Sequence, residues 1–313
     1  MSRPARRRGR LRGRRDGAAD LSTTVGSLHL PNPVMTASGT AGHAAELAPY
    51  FPLGSLGAVV VKSLAAFAWD GNAAPRVRET ASGMLNAVGL QGPGVEAWLA
   101  EDLPLLEAAG VSRVVVSIWG RTVEEYGAAA ALLASAPGSV IAVEVNLSCP
   151  NLGGKSIFAH DPAATHAAIE ATAACGLPRW AKLSPNTDRL VEVAGAAGAA
   201  GAEAVTLVNT VQGMAVDPRS GRPVLANGSG GLSGRAIHPV AVRAVWEVRG
   251  AHPGLPIVGV GGVSSGEEAA ELLAAGADAV QVGTATFADP RAPALVLDEL
   301  AEWVARHGRP VRR

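Results

Sequence analysis

Short apolar runs rich in β-branched residues recur along the whole chain and alternate with longer alanine-rich stretches. The runs have the length of buried strands. The stretches between them carry apolar residues at helical spacing, as in "DPAATHAAIEATAACG". Strands that alternate with helices in this way are typical of a parallel α/β fold. The runs are eight in number: "NPVMTAS", "GAVVVKS", "SRVVVSI", "SVIAVEVN", "RWAKLS", "EAVTLVN", "LPIVGVGG" and "ADAVQVG".

The number of predicted strands favours a closed barrel over an open sheet. Eight strands in 313 residues fit a (β/α)₈ TIM barrel, whose active site lies at the C-terminal ends of the strands. A doubly wound sheet is the alternative, but the first strand–helix turn lacks the Gly-x-Gly-x-x-Gly motif. Two connections, 65–98 and 211–234, are much longer than the others, and we expect them to shape or cover the active site.

The charge of the chain is distributed unevenly. The first 16 residues, "MSRPARRRGRLRGRRD", contain eight arginines and one aspartate, which leaves 19 basic and 26 acidic residues in the remainder. Such a run is typical of an arm that binds nucleic acid or an anionic surface, of a disordered extension, or of translation from an early start codon. We interpret residues 1–20 as a disordered extension, expect no nucleic-acid partner, and assign residues 21–313 to a single barrel domain.

The composition argues against a membrane protein and against a metalloprotein. No apolar run reaches the roughly 18 residues needed to span a bilayer, so we expect a cytoplasmic protein. The two cysteines form no Cys-x-x-Cys pair and the seven histidines are scattered, so we expect no metal or iron–sulfur cluster on this chain.

Polar residues stand at the ends of six consecutive predicted strands. In a barrel these ends meet on one face, where the chemistry takes place. Two of the residues are lysines, and a buried cation is costly unless an anionic group binds beside it. We therefore expect a ligand with electron-rich oxygens near these residues, which are Ser38, Lys62, Ser117, Asn146, Lys182 and Asn209.

The last two predicted strands end in small residues, at Gly261–Gly262 and Gly283–Thr284. Exposed backbone N–H groups and the N-terminus of a following helix bind phosphate, and barrels often build such a site after strands seven and eight. The segment "GGLSG" at 230–234 is a further candidate. Ordinary turns are the alternative, but the position favours a phosphorylated cofactor that lies across the barrel mouth.

These motifs, in this order, resemble the catalytic subunit of the dihydroorotate dehydrogenases. The resemblance extends from about Val34 to Phe287. The motif "KLSPN" and the long first connection are more similar to the NAD-linked class 1B than to the fumarate-using type. The cysteine in "NLSCPN" argues against the membrane-associated class 2. The matching motifs are "VMTASGT", "VVKS", "GNAAPRVRETASGMLNAVGLQGPGVE", "NLSCPN", "KLSPN", "NTVQGMAVD", "GGLSG", "GVGG" and "VGTA".

The resemblance implies an FMN-containing barrel that oxidises (S)-dihydroorotate to orotate in pyrimidine (UMP) biosynthesis. Hydride passes to FMN, and Cys149 removes the proton from the neighbouring carbon as the general base. The resemblance also implies a partner subunit that carries FAD and a [2Fe–2S] cluster and reduces NAD. Two catalytic subunits then form a dimer within a heterotetramer.

The same resemblance implies a role for each matching residue. Lys62 and Asn146 contact both the flavin and the substrate. Lys182 lies beside the flavin pyrimidine ring, where a cation stabilises the reduced, anionic form. The other cofactor residues are Ser38, Ser63, Ser117, Val208, Gly234, Gly261, Gly262, Gly283 and Thr284. The other substrate residues are Asn86, Ala87, Val88, Gly89, Leu90, Asn209 and Thr210.

The chain departs from the family pattern at Ser117, in "SIWG", where the family usually has asparagine. The segment "LAAFAWDGNAAPRV" is also looser than the usual proline-rich version. Three alternatives are a dihydropyrimidine dehydrogenase-like enzyme, a tRNA dihydrouridine synthase and an inactive barrel that serves as a binding module. The short sequence after the eighth strand leaves little room for the RNA-binding domain of a dihydrouridine synthase. The presence of Cys149 and Lys62 argues against an inactive barrel.

Overall fold

Eight parallel strands form a barrel in the computed structural model, which describes residues 20–148 and 157–310. Neighbouring strands in the chain are neighbours in the sheet, and the last strand pairs with the first. The (β/α)₈ barrel predicted from the sequence is confirmed, because every strand lies within a predicted run. The barrel strands are β1 (Val34–Thr36), β2 (Val59–Val60), β3 (Val114–Ile118), β4 (Val140–Asn146), β5 (Arg179–Lys182), β6 (Ala204–Leu207), β7 (Ile257–Val260) and β8 (Ala279–Val282).

The barrel closes between β1 and β2, which are its two shortest strands. A single bridge joins Met35 to Ala58, and the amide of Val60 donates to Thr36 Oγ1 at 2.8 Å. The Thr36 hydroxyl in turn lies 3.1 Å from the carbonyl oxygen of Val60. A buried side chain therefore supplies hydrogen bonds where the two short strands provide few backbone ones.

Helices surround the barrel. Side chains cap several of them: Thr122 accepts from the amide of Glu125, and Ser265 accepts from the amide of Glu268. Among the described residues, no helix is both long and apolar enough to cross a membrane. The helices are α1 (Val95–Ala97), α2 (Leu103–Ala108), α3 (Val123–Ala131), α4 (Pro162–Ala171), α5 (Leu190–Ala199), α6 (His238–Ala251), α7 (Gly266–Ala275), α8 (Ala285–Ala288) and α9 (Ala292–His307), and a π-helical turn (Trp98–Asp102) joins α1 to α2.

The N-terminal end of the barrel is filled by apolar side chains. An antiparallel hairpin of two strands, Thr23–Val25 and Leu28–Leu30, precedes β1 and was not predicted from the sequence. Its Val25 and Leu30 are fully buried in a cluster with the barrel residue Trp180. Burial of these large side chains closes this end of the barrel interior.

A second, antiparallel sheet of four strands is built from the two long connections. The strands are Val77–Thr80, Gly83–Asn86, Val211–Gly213 and Gly230–Ser233, and we call them the cover sheet. The register places Asn86 opposite Gly231 and Val211 opposite Leu232. Strands of the first long connection thereby pair with strands of the second. Both connections contribute residues to a cleft at this end of the barrel.

Candidate active site

A cleft of about 420 Å³ opens at the C-terminal ends of the barrel strands, beside the cover sheet. The structure brings together residues from β1, β2, β4, β5 and the loops after β6, β7 and β8. All the predicted site residues that lie within the described part of the chain line it, except Ser117. The lining residues that the sequence predicted are Ser38, Lys62, Ser63, Asn86, Ala87, Val88, Gly89, Leu90, Asn146, Lys182, Val208, Asn209, Thr210, Gly234, Gly261, Gly262, Gly283 and Thr284.

Lys182 forms the floor of the cleft and is only 4% exposed. Its ammonium group donates to Ser38 Oγ at 3.0 Å and to Gln281 Oε1 at 3.3 Å. It also forms an ion pair of 3.3 Å with Glu144 Oε1. The other oxygen of that carboxylate accepts from Gln281 Nε2 at 2.7 Å. Burial of a lysine is therefore compensated by a carboxylate and two neutral acceptors.

Two asparagines, one at the end of β4 and one after β6, are joined in the cleft. Asn209 Nδ2 donates to Asn146 Oδ1 at 3.2 Å, and Asn146 Nδ2 donates to Ser63 Oγ at 3.2 Å. The backbone carbonyl of Asn146 accepts from the buried hydroxyl of Tyr126 at 2.7 Å. Amide groups fixed in this way present both donors and acceptors to a ligand.

Ser117 lies behind this group instead of on the surface of the cleft. Its side chain is fully buried, and its Oγ is 2.8 Å from Ser63 Oγ. The sequence implied direct contact with the cofactor, and the structure does not bring the side chain to the cleft. It places Ser117 as a support for Ser63, because the Ser117 hydroxyl is engaged in this buried contact.

Glycines and a threonine build a cradle at the ends of β7 and β8. Gly262 has φ +72°, and a Cβ there would lie 2.9 Å from the carbonyl oxygen of Gly234, so only glycine fits. His238, the first residue of α6, has Nδ1 2.9 Å from the carbonyl oxygen of Gly261. The hydroxyl of Thr284 donates to Ser233 Oγ at 2.8 Å. A concave backbone with small side chains suits a phosphate group.

The segment Asn86–Leu90 forms one wall of the cleft and is held by two side chains of the same connection. Asn72 Nδ2 donates to the carbonyl oxygen of Ala87 at 3.0 Å. Trp69 Nε1 donates to the carbonyl oxygen of Gly89 at 3.0 Å. Leu90 has φ +62°, a conformation that side chains rarely adopt. The wall is thus fixed by hydrogen bonds to its backbone.

Lys62 lies at the end of β2 and lines the cleft beside Ser38 and Gly39. Two effects lower the pKa of the nearby His43, burial and the charge of Lys62, and the charge of Glu46 raises it. Burial is the largest effect, and the net result lowers the pKa of His43. Two cationic groups close together repel each other, so the charge of Lys62 adds to the effect of burial in favouring the neutral form of His43.

Cys149, the predicted general base, lies outside the described residues, and its role stays a prediction. The described residues on either side of it, Ser148 and Ile157, both line the cleft. The second cysteine, Cys175, is 2% exposed, with its Sγ 3.7 Å from the carbonyl oxygen of Leu177. It is a buried thiol and does not line the cleft.

Sequence reasoning missed several polar residues of the site. Glu144 and Gln281 stand inside apolar strands and gave no sign of pairing with Lys182. Ser184 and Asn186 line the cleft, and Asn186 Nδ2 donates to the carbonyl oxygen of Thr210 at 2.9 Å. Both belong to the motif "KLSPN", and the alternation of polar residues in this motif was the signal that could have identified them.

The fold and the cleft together define a class: a TIM-barrel protein with a ligand site at the C-terminal ends of its strands. The glycine cradle, the buried Lys182, the two asparagines and Lys62 all line this one cleft. The comparisons with known proteins identify the family within this class.

The profile of the dihydroorotate dehydrogenase family matches residues 20–304. Proteins of Geobacter sp. (strain M21), Geobacter metallireducens and Geotalea uraniireducens are 46%, 43% and 44% identical to this chain. The alignments cover 92–93% of this chain and 94–95% of those proteins, each of which is named dihydroorotate dehydrogenase B (NAD(+)), catalytic subunit. The chain belongs to the dihydroorotate dehydrogenase family.

Membership of this family implies FMN, and the residues of the cleft fit it. The cradle at Gly261, Gly262 and Gly283 lines the cleft with backbone that carries no side chains, which suits a phosphate group. Lys182 offers a buried positive charge at the floor of the same cleft. One cleft therefore contains a site for the phosphate and a cation for an electron-rich ring.

Proposed function

We propose that this chain is the catalytic subunit of an NAD-linked dihydroorotate dehydrogenase that oxidises (S)-dihydroorotate to orotate in pyrimidine biosynthesis. The observation that carries the proposal is the convergence of Lys62, Asn86, Asn146 and Asn209 on one cleft. The names of the relatives support it, since they specify both the reaction and the acceptor NAD(+).

The substrate is a ring with imide edges and one carboxylate, and the residues of the cleft match both features. Asn146 and Asn209, linked by their side chains, offer paired donors and acceptors to the imide edges. Lys62 offers a positive charge to the carboxylate. The backbone of Asn86–Leu90, fixed by Asn72 and Trp69, closes the side of the cleft and limits the shape of ring that it accepts.

The chain itself supplies the base, the cofactor-binding groups and the exclusion of water. Cys149 takes the proton from the ring carbon next to the one that loses hydride; the thiolate is the reactive form, and its ordinary pKa is about 8.5. Gly234, Gly261, Gly262, Gly283 and Thr284 would hold the phosphate of FMN, while Lys182 would lie at its ring. When bound, FMN supplies the acceptor for the hydride.

The proposal includes a partner and a compartment. The relatives are named as catalytic subunits of an NAD(+) enzyme, which supports a second subunit that carries the electrons onward. We assign FAD and a [2Fe–2S] cluster to that subunit, with two catalytic subunits forming a dimer within a heterotetramer in the cytoplasm.

An assay of substrate choice tests the proposed reaction. The purified chain, loaded with FMN, is given dihydroorotate or dihydrouracil with an artificial electron acceptor, and product formation is followed by ultraviolet absorbance. We expect turnover of dihydroorotate to exceed that of dihydrouracil by at least 100-fold, because Lys62 has no carboxylate to bind in the second compound; such a ratio is about 2.7 kcal/mol of transition-state binding. Preference for dihydrouracil would assign the barrel to dihydropyrimidine chemistry instead.

A further inference from the structure

The strongest unexplained feature of the described structure is a carboxylate at the centre of the barrel. Glu144 lies on β4, is 0% exposed, and does not line the cleft. Below it, the inside of the barrel is apolar, with residues such as Met35, Val115 and Val258. A charged side chain in such surroundings is costly, and apolar residues of similar volume often replace buried ion pairs without loss of stability. The barrel therefore does not require Glu144 for packing.

The hydrogen bonds of Glu144 connect it to a single functional residue. One carboxylate oxygen pairs with Lys182 Nζ at 3.3 Å, and the other accepts from Gln281 Nε2 at 2.7 Å. Gln281 Oε1 accepts from the same ammonium group at 3.3 Å. The three side chains form a closed ring of contacts, in which the glutamine amide fixes the orientation of both charges.

Lys182 is the member of this ring of contacts that faces the cleft. Its three ammonium hydrogens match three acceptors in the protein: Ser38 Oγ, Glu144 Oε1 and Gln281 Oε1. Lys182 lines the cleft, whereas Glu144 and Gln281 lie behind it. A ligand in the cleft therefore meets the charge of Lys182 as an electrostatic field, and the carboxylate behind the lysine weakens that field.

We propose that Glu144 is a positioning residue that fixes Lys182 and partly cancels its charge, and thereby lowers the reduction potential of the bound FMN. The inference rests on the proposed function, because it assigns FMN to this cleft. Reduction adds negative charge to the cofactor, and a nearby cation favours the reduced form more strongly when no anion opposes it. Glu144 thus limits how strongly Lys182 favours reduction.

The test compares reduction potentials in four variants of the FMN-loaded chain. Potentials are measured by titration with a chemical reductant against reference dyes, so they do not depend on dihydroorotate. Glu144→Gln keeps the shape of the side chain and removes its charge. We expect it to raise the ratio of reduced to oxidised FMN at a fixed potential at least tenfold, which is about 30 mV for a two-electron couple. Lys182→Met should lower the ratio by at least the same factor.

The double variant Lys182→Met/Glu144→Gln separates an effect through the lysine from a direct effect. We expect its ratio to lie within threefold of that of Lys182→Met, since Glu144 acts on the flavin by fixing and offsetting Lys182, which both variants lack. The control is Thr206→Val, which removes a buried hydroxyl without a hydrogen-bond partner from the adjacent strand β6. It should leave the ratio within twofold of the original.

An unchanged or lowered ratio in Glu144→Gln would overturn the proposal, and so would a double variant that differs from Lys182→Met by tenfold. If Glu144→Gln does not fold, a tenfold difference between Lys182→Met and the double variant would still overturn the proposal, because neither of these variants contains a buried cation without its carboxylate. A failure of the proposed function would give a different result. The variants would then show the expected order of reduction potentials, but dihydroorotate would not reduce the FMN of the original chain.

Discussion

The asparagines and the buried lysine of the cleft have different hydrogen-bond partners, as their side-chain chemistry explains. The asparagines contact one another and Ser63, whereas Lys182 contacts charged and polar groups from other strands. The sequence predicted these residues because each ends an apolar run, where a barrel exposes side chains to its mouth. It could not predict Glu144 or Gln281, since a polar residue within an apolar strand shows no partner until the strands are placed side by side.

The pKa of His43 gives a prediction at this scale. Burial, reinforced by the charge of Lys62, lowers this pKa from its ordinary value of 6.5. Below that pH the unfolded chain binds a proton that the folded chain resists, so the free energy of unfolding should fall as the pH drops from 7 to 5.5. Urea unfolding of His43→Gln should show a flatter dependence on pH over this range.

Two other histidines, His160 and His29, set the result expected for the pH dependence. Burial also lowers the pKa of His160, so part of the dependence should remain in His43→Gln. The exposed His29 lies at the other end of the barrel, and His29→Gln should leave the profile as it was. Identical profiles for His43→Gln and the original protein would show that this imidazole is not held neutral by folding.

Among the elements, the cover sheet was the hardest to predict. Its strands are three or four residues long, and two of them are rich in glycine, so they show none of the alternation that identifies strands. The length of the two connections did indicate that they shape the site. Their antiparallel pairing depends on contacts between residues about 145 positions apart, such as Asn86 and Gly231, which no local pattern encodes.

Gly231 tests the role of this sheet. A Cβ at this position would lie 2.0 Å from Thr210 Oγ1 and 2.5 Å from Thr210 Cβ. Gly231→Ala should therefore displace Thr210, which lines the cleft, and raise the KM for dihydroorotate at least tenfold while FMN stays bound. The matched control is Gly254→Ala, where the added methyl group meets no atom within 4 Å and should change KM less than twofold. Equal KM values for the two variants would show that the cover sheet does not contribute to substrate binding.

At the scale of the whole molecule, the barrel was predictable because eight buried strands and their helices leave a strong periodic signal. The packing at its N-terminal end was not, since the hairpin before β1 contains polar residues and spans only eight positions. The Arg-rich residues 1–19 lie outside the described part of the chain, and the interpretation of this segment stays a prediction.

Deletion of residues 2–19 tests whether the barrel needs this segment. The family profile begins at residue 20 and the first described strand begins at Thr23. We therefore expect the shortened chain to bind FMN and to oxidise dihydroorotate with a kcat/KM within twofold of the full chain. A loss greater than tenfold would mean that the arginines contribute to the fold or to the site.

The most direct test of the account is reduction of the FMN-loaded chain by dihydroorotate in the absence of oxygen. Rapid mixing should bleach the flavin absorbance within one turnover and form one equivalent of orotate. Cys149→Ser should bind the same amount of FMN but bleach at least 100-fold more slowly, because a serine hydroxyl loses its proton far less readily than a thiol and so provides almost none of the anionic base near neutral pH. Flavin that dihydroorotate leaves oxidised in the original chain would contradict the proposed function, and equal rates for the two proteins would contradict the role of Cys149.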